Sequence, residues 1–171
     1  VDVGTENIQD STKRTLELFT LLRRTARVYG LAALGAHVVS MTRTPSDLLT
    51  VLWLWKWSEA VDGGDEQDHL SQLPLVPLFE TINDLKNSDA TLTNLLNNEV
   101  YREYLKKLGD NQTVMIGYSD STKDGGYLAG QWGLYNSQSR MAKVANQFGV
   151  NLTFFHGRGG SLGRGGGPAA K

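Results

Sequence analysis

The chain has 171 residues, of which 40% are hydrophobic and 20% charged, and its formal net charge is −1. That composition suits one globular domain with a real core and excludes a disordered chain, and the near-neutral charge gives no bulk attraction to nucleic acid or to an anionic membrane. Cysteine is absent, which excludes a disulfide scaffold, a thiolate zinc site and a cysteine nucleophile.

Read from the beginning, the opening stretch VDVGTENIQDSTKR carries no apolar signal segment. No apolar run reaches membrane-spanning length, and a cytoplasmic protein is expected. Residues 6–29 have helical period, with Leu16, Phe19, Leu22 and Ala26 recurring at three and four, and Gly30 is placed to end the helix. Positions 13–27 are basic, with Lys13, Arg14, Arg23, Arg24 and Arg27 against Glu17 alone. His37 to Met41 reads as a short buried strand. Thr44 is expected to cap a helix that has Pro45 at its first position, Asp47 in its first turn and three tryptophans before it ends near Ala60. An acidic stretch follows, with Glu59, Asp62, Asp65, Glu66 and Asp68 around Gly63 and Gly64, and reads as an exposed loop to Gln72. Leu73 to Phe79 is apolar but holds two prolines, so it is a strand with unusual pairing or an extended segment. Residues 82–108 read as two helices meeting near Asn97 and Asn98. Gln112 to Tyr118 is a buried strand. Residues 126–148 form a helix with Leu128, Trp132, Tyr135 and Ala142 on one face, ended by Gly149. Asn151 to Phe155 is a fourth strand, and a glycine-rich tail follows.

Strands alternating with helices, joined by connections long enough for crossovers, predict an α/β fold with about four parallel strands. No internal repeat is present. In such folds ligands gather where the strands end, and here each strand runs into a polar cluster: Thr42-Arg43-Thr44, Glu80-Thr81, Ser119 to Asp124, and His156-Gly157-Arg158.

Glu80 and Asp120 stand at the mouths of adjacent strands. A carboxylate pair there suits Mg²⁺ or Mn²⁺, or each caps the helix that follows. Lys123, three residues past Asp120, holds an anion beside such a metal or is an exposed loop lysine. The tail Phe155–Pro168 has two arginines six residues apart, Arg158 and Arg164, each flanked by glycine. Glycines admit close backbone approach and arginines donate to phosphate or carboxylate, with His156 as a further donor. The alternatives are a flexible linker or an RGG-like nucleic-acid tail. The segment matches neither the Walker pattern nor the dinucleotide fingerprint. His37 and His69 read as structural or solvated, and the tryptophans as core and interface residues.

Four segments, SMTRTPSD (40–47), PLFET (77–81), GYSDSTKDGG (117–126) and FHGRGGSLGRGGGP (155–168), resemble the phosphoenolpyruvate carboxylase family in kind and order. The resemblance runs from about residue 30 to the end. It implies a piece of a single (β/α) barrel domain of the phosphoenolpyruvate/pyruvate TIM-barrel type, covering 1–171, with 155–168 as the phosphate-binding loop. It implies a lyase that adds bicarbonate to phosphoenolpyruvate with Mg²⁺ or Mn²⁺, giving oxaloacetate and phosphate, in a largely helical subunit that forms homotetramers. By that resemblance Glu80 and Asp120 are the metal ligands and Lys123 binds bicarbonate or substrate. His156, Arg158, Gly159, Gly160 and Arg164 hold the phosphate and the carboxyphosphate intermediate, and Arg164 also contacts an aspartate-type inhibitor. The family's upstream histidine motif, of the Thr-Ala-His-Pro-Thr type, does not occur in this chain, nor do the later barrel strands. The chain is therefore expected to be a fragment, inactive alone and with open sheet edges that stay sticky unless covered. The alternatives are a non-catalytic anion-binding module and another phosphoenolpyruvate-handling barrel enzyme.

Overall fold

A computed structural model describes residues 9–61 and 72–158. The elements in chain order are α1 (Asp10–Tyr29), a 3₁₀ turn (Leu31–Ala33), β1 (His37–Val39), α2 (Pro45–Val61), β2 (Leu75–Phe79), α3 (Ile82–Asn97), α4 (Glu99–Lys107), β3 (Asn111–Gly117), α5 (Tyr118–Gln147) and β4 (Asn151–Gly157). None of these helices is long and apolar enough to cross a membrane. The described residues group into two compact units, one within 1–35 and 50–73 and one within 36–49 and 74–171.

In the first unit, α1 buries Phe19 and Ala26 as its period predicts. The basic run is not uniformly solvated. Arg23 is 1% exposed. Its Nη2 donates to the Trp55 carbonyl at 2.6 Å, and its guanidinium lies 3.7 Å over the Trp55 ring. Its Nε reaches Ser58 Oγ at 3.5 Å. A buried arginine is tolerated when its donors are occupied in this way.

The second unit is built on the sheet. All four strands are parallel in the order β1-β2-β3-β4. Sequential order with parallel neighbours is what a stretch of a β/α barrel has, and it differs from the reversed order of doubly wound sheets. β2 is buried along its whole length. Its proline is accommodated by a change of partner: Leu75 to Pro77 align with β1, whereas Leu78 and Phe79 align with β3. Side chains serve the backbone at the start of β2. The Leu75 N–H donates to the Tyr104 hydroxyl at 2.7 Å, and the Leu75 carbonyl accepts from Gln112 Nε2 at 3.0 Å. The Tyr101 hydroxyl, fully buried, donates to Gln112 Oε1 at 2.7 Å.

Helix ends follow local chemistry. Thr81 and Asp84 form a reciprocal capping box at the start of α3. The Asn98 side chain caps α4 and separates it from α3 where the sequence predicts the break. Gly149, with φ 65°, follows the last turn of α5, where the Val150 N–H donates to the Ala145 carbonyl at 2.9 Å, a Schellman ending.

Three expectations are corrected. β1 is three residues long and half-exposed, with Val38 44% accessible, because it is an edge strand from which the chain departs at Met41 (φ 52°). α5 begins at Tyr118 rather than at 126, so the segment Ser119 to Asp124 is helical and not a loop; a break at Gly126 (φ 80°, ψ 168°) divides the helix. The buried face of α5 is Gly130, Leu134, Ser137, Met141 and Ala145, while Leu128, Trp132 and Tyr135 are 82%, 66% and 66% exposed. Size does not select that face. On that face Gly130 passes the Ser121 backbone, which a β-carbon there would meet at 3.4 Å, an ordinary contact. Among the tryptophans, Trp55 is core, whereas Trp53 and Trp132 are exposed.

Candidate active site

Parallel strands bring their C-terminal ends to one edge of the sheet, and the polar clusters lie there. At the end of β1, Thr42 is buried and donates to the Val39 carbonyl at 2.8 Å. The N–H groups of Arg43 and Thr44 donate to Asp47 Oδ2 at 2.9 and 2.8 Å. Partial burial raises the Asp47 carboxyl, but these bonds outweigh it and leave the group below its ordinary value. The expected capping thus runs from Asp47 back to Thr44. Arg43 extends to Asp84, Nε to Oδ1, at 3.5 Å.

At the end of β2, Glu80 follows buried Phe79 and is itself half-buried. Burial raises its carboxyl, and the charges of Asp120 and then Asp84 raise it further. Asp120 therefore lies within electrostatic reach of Glu80, as the strand-mouth reading expects. The two positions are not equivalent. Glu80 is one residue past its strand, whereas Asp120 is three past Gly117, in the first turn of α5. Gly117 makes the approach possible: a β-carbon there would stand 3.2 Å from the Glu80 Cα.

Lys123 Nζ pairs with Asp120 Oδ1 at 3.0 Å, one helical turn on. Asp124 Oδ2 accepts from the Ile82 N–H at 2.9 Å, tying the second turn of α5 to the start of α3. Ser121 is buried and its hydroxyl donates to the Gly117 carbonyl at 2.8 Å. At the end of β4, His156 Nδ1 lies 2.6 Å from the Tyr118 hydroxyl, and the Arg158 guanidinium lies 4.7 Å over the Tyr118 ring.

The predicted residues thus form two neighbouring groups, Glu80-Asp120-Lys123 and His156-Arg158, with Tyr118 beneath the second. Gly159, Gly160, Arg164 and the rest of the 155–168 loop beyond Arg158 lie outside the described residues, as does His69. Among the described residues no cluster of three or more acidic or histidine side chains is close enough to hold a metal ion. A carboxylate pair in which the charge of Asp120 helps to raise Glu80 is nonetheless the donor set for a hard divalent cation, which relieves that repulsion and takes its other ligands from water or substrate. Sequence reasoning missed Tyr118, read there as the end of a strand, and the spacing role of Gly117. The signal for both is the Gly-Tyr step just ahead of the acidic turn.

The fold and this site define a class: a parallel β/α protein with a carboxylate pair, a lysine, a histidine and an arginine at the strand ends. The family model described as phosphoenolpyruvate carboxylase matches residues 3–171. Phosphoenolpyruvate carboxylases from Xanthomonas oryzae pv. oryzae (43% identical over 165 residues, 96% of this chain and 18% of the relative) and Shewanella oneidensis (51% over 139 residues, 81% and 14%) are similar to it. One from Thermosynechococcus vestitus is 42% identical over 165 residues, 94% of this chain and 16% of the relative. The chain belongs to the phosphoenolpyruvate carboxylase family, and it spans only 14–18% of the length of these relatives.

Proposed function

We propose that this chain is one sector of the active site of a phosphoenolpyruvate carboxylase, a lyase that joins bicarbonate to phosphoenolpyruvate and releases oxaloacetate and phosphate. The observation that carries this reading is Asp120, paired with Lys123 and electrostatically coupled to Glu80 across two adjacent strand ends. Glu80 and Asp120 would hold Mg²⁺ or Mn²⁺. The bound cation supplies positive charge for the enolate that develops as the phosphoryl group leaves.

The chain's own residues do the rest. Lys123 presents its ammonium to bicarbonate or to the substrate carboxylate beside Asp120. His156 and Arg158 donate to the phosphoryl oxygens, with Gly159, Gly160 and Arg164 completing the grip. The 155–168 loop keeps water from carboxyphosphate and the enolate, both of which water destroys. Arg164 also contacts an aspartate-type inhibitor in this reading, so occupancy of that site competes with the loop's work. The whole enzyme closes the sheet into a barrel and assembles as a homotetramer in the cytoplasm. The chain by itself is inactive, because the upstream histidine motif and the later strands are not in it.

Two assays test this. Mn²⁺ titration followed by electron paramagnetic resonance should show binding to the 171-residue chain that Glu80→Gln and Asp120→Asn each weaken. Unchanged affinity in either variant overturns the metal assignment. Bicarbonate-dependent phosphate release from phosphoenolpyruvate should be absent, and clear release would overturn the claim that the chain needs the remainder of the enzyme.

A further inference from the structure

We infer that Tyr118 is a positioning residue that fixes His156 in its Nε2–H tautomer and so makes it a hydrogen-bond donor, not a base, toward the bound anion. The inference rests on the reading of His156 and Arg158 as anion-facing.

The geometry begins with the backbone. β3 and β4 pair in register with Ile116 opposite His156 and Gly117 opposite Gly157, and Tyr118 directly continues β3. Its side chain is therefore delivered beside His156. Tyr118 is 5% exposed, its hydroxyl is 2.6 Å from His156 Nδ1, and the two rings are tilted with centroids 5.7 Å apart. Two proton arrangements fit that distance. If the imidazole Nδ1–H donated to the phenol oxygen, the phenol proton would need another acceptor. Among the described residues the Tyr118 hydroxyl has no second partner, its ring is 5% exposed, and its bond to the exposed His156 is part-buried, so the arrangement that spends the phenol proton on His156 leaves neither group without a protein partner. The arrangement that satisfies both groups has the tyrosine O–H donating to a bare Nδ1. In neutral imidazole the proton then sits on Nε2, on the side of the ring away from Tyr118.

The chemical consequence is specific. A histidine held this way offers an N–H to a phosphoryl or carboxylate oxygen and has no free lone pair with which to abstract a proton. The same phenol ring lies under Arg158, with the guanidinium 4.7 Å from its centroid, a cation–π distance. One buried tyrosine thus orients both donors at the end of β4.

The test uses the ¹⁵N-labelled 171-residue chain and long-range ¹H–¹⁵N spectra of its three histidines, His37, His69 and His156. The spectra are recorded at about pH 8.5 to read the neutral tautomers, and a His156→Asn spectrum assigns the signal. We expect His156 to be wholly Nε2–H in the unsubstituted chain. In Tyr118→Phe, which keeps the ring under Arg158, an Nδ1–H population should become measurable, because the hydrogen bond that excludes it is lost. An Nδ1–H signal in the unsubstituted chain overturns the inference, as does an unchanged tautomer ratio in Tyr118→Phe. Should that variant not fold, the unsubstituted chain decides. A slowly exchanging Tyr118 hydroxyl proton with a cross-peak to the His156 ring supports the assignment, and its absence overturns it. All these spectra are recorded without ligand. Added inorganic phosphate then tests the underlying reading separately: a silent Nε2–H signal would overturn the anion-facing role while the tautomer stood.

Discussion

Replacing Gly117 with alanine tests whether the spacing between β2 and β3 holds the carboxylate pair together. The backbone at Gly117 has φ −89° and ψ 124°, an ordinary extended conformation, so alanine meets no conformational barrier. By itself it would stabilise the fold by about 0.4–1 kcal/mol through the unfolded chain. The new methyl, however, would lie 3.2 Å from the Glu80 Cα, and 3.5 Å from both the Glu80 Cγ and the Phe79 carbonyl oxygen. Two of those atoms belong to backbone in or just past a fully buried strand, which cannot rotate away. Overpacking of that kind costs about 1–3 kcal/mol. The net expectation is destabilisation by about 1–2 kcal/mol, a fall in Tm of roughly 3–6 °C for a chain of this size. Relief comes by moving Glu80 away from α5, so Mn²⁺ affinity should fall several-fold as well. Thermal unfolding by circular dichroism and a Mn²⁺ titration read the two effects. Gly133→Ala is the control, because its methyl meets only side-chain carbons at 3.6 Å within a helix, and it should raise stability by about 0.5–1 kcal/mol. A Gly117→Ala chain as stable and as avid for Mn²⁺ as the unsubstituted one would refute the spacing argument.

Lys123→Met removes the cation paired with Asp120, so Mn²⁺ should bind about two- to fivefold more tightly while inorganic phosphate binds more weakly, both read by calorimetry. Glu80→Gln should cost Mn²⁺ affinity yet leave Tm unchanged or slightly higher, since it removes a carboxylate that burial and Asp120 disfavour in the charged form. Arg23→Met should destabilise the first unit by about 2–3 kcal/mol in denaturant titrations, because the buried charge-assisted bond to the Trp55 carbonyl and the cation–π contact are both removed, leaving that carbonyl with Ser58 Oγ alone among these side chains. Burial holds the His37 imidazole below its ordinary value of 6.5. The unfolded chain then binds the extra proton first, so this group contributes stability above about pH 6.5 that is lost as pH falls through the lowered folded value. His37→Gln should flatten that limb of the stability profile, measured by urea unfolding at several pH values.

Much of the fold is legible in the sequence, for identifiable reasons. Capping and stop signals are local, so Thr81, Asn98 and Gly149 mark their boundaries well. The order of strands and crossovers follows from apolar runs and connection lengths. The outward face of α5 was not legible, because an apolar stripe at Leu128, Trp132 and Tyr135 has the period of a core face, and local sequence does not say which of the two faces packs against the rest of the fold. The burial of Arg23 was hidden in a basic run for a similar reason: its partners, Trp55 and Ser58, come from a distant helix. At the site, residue types and order pointed to Glu80, Asp120, Lys123, His156 and Arg158. Their grouping did not follow from order. It depends on Tyr118 and Gly117, whose contributions are a hydrogen bond and a missing methyl across neighbouring strands.

The break at Gly126 separates two jobs that one helix would otherwise have to share. Beyond it, the segment is anchored in the core by Leu134, Met141 and Ala145. Before it, a single short stretch carries Asp120, Lys123 and Asp124, fastened at the Ile82 amide and through Ser121 to the end of β3. Glycine at φ 80° and ψ 168° lets the axis change direction where other residues would be strained. The acidic turn is therefore aimed by its own two fastenings, and substitutions that tilt or repack the long rod need not misdirect it. Such an arrangement lets the scaffold drift in sequence while Asp120 and Lys123 keep their bearing.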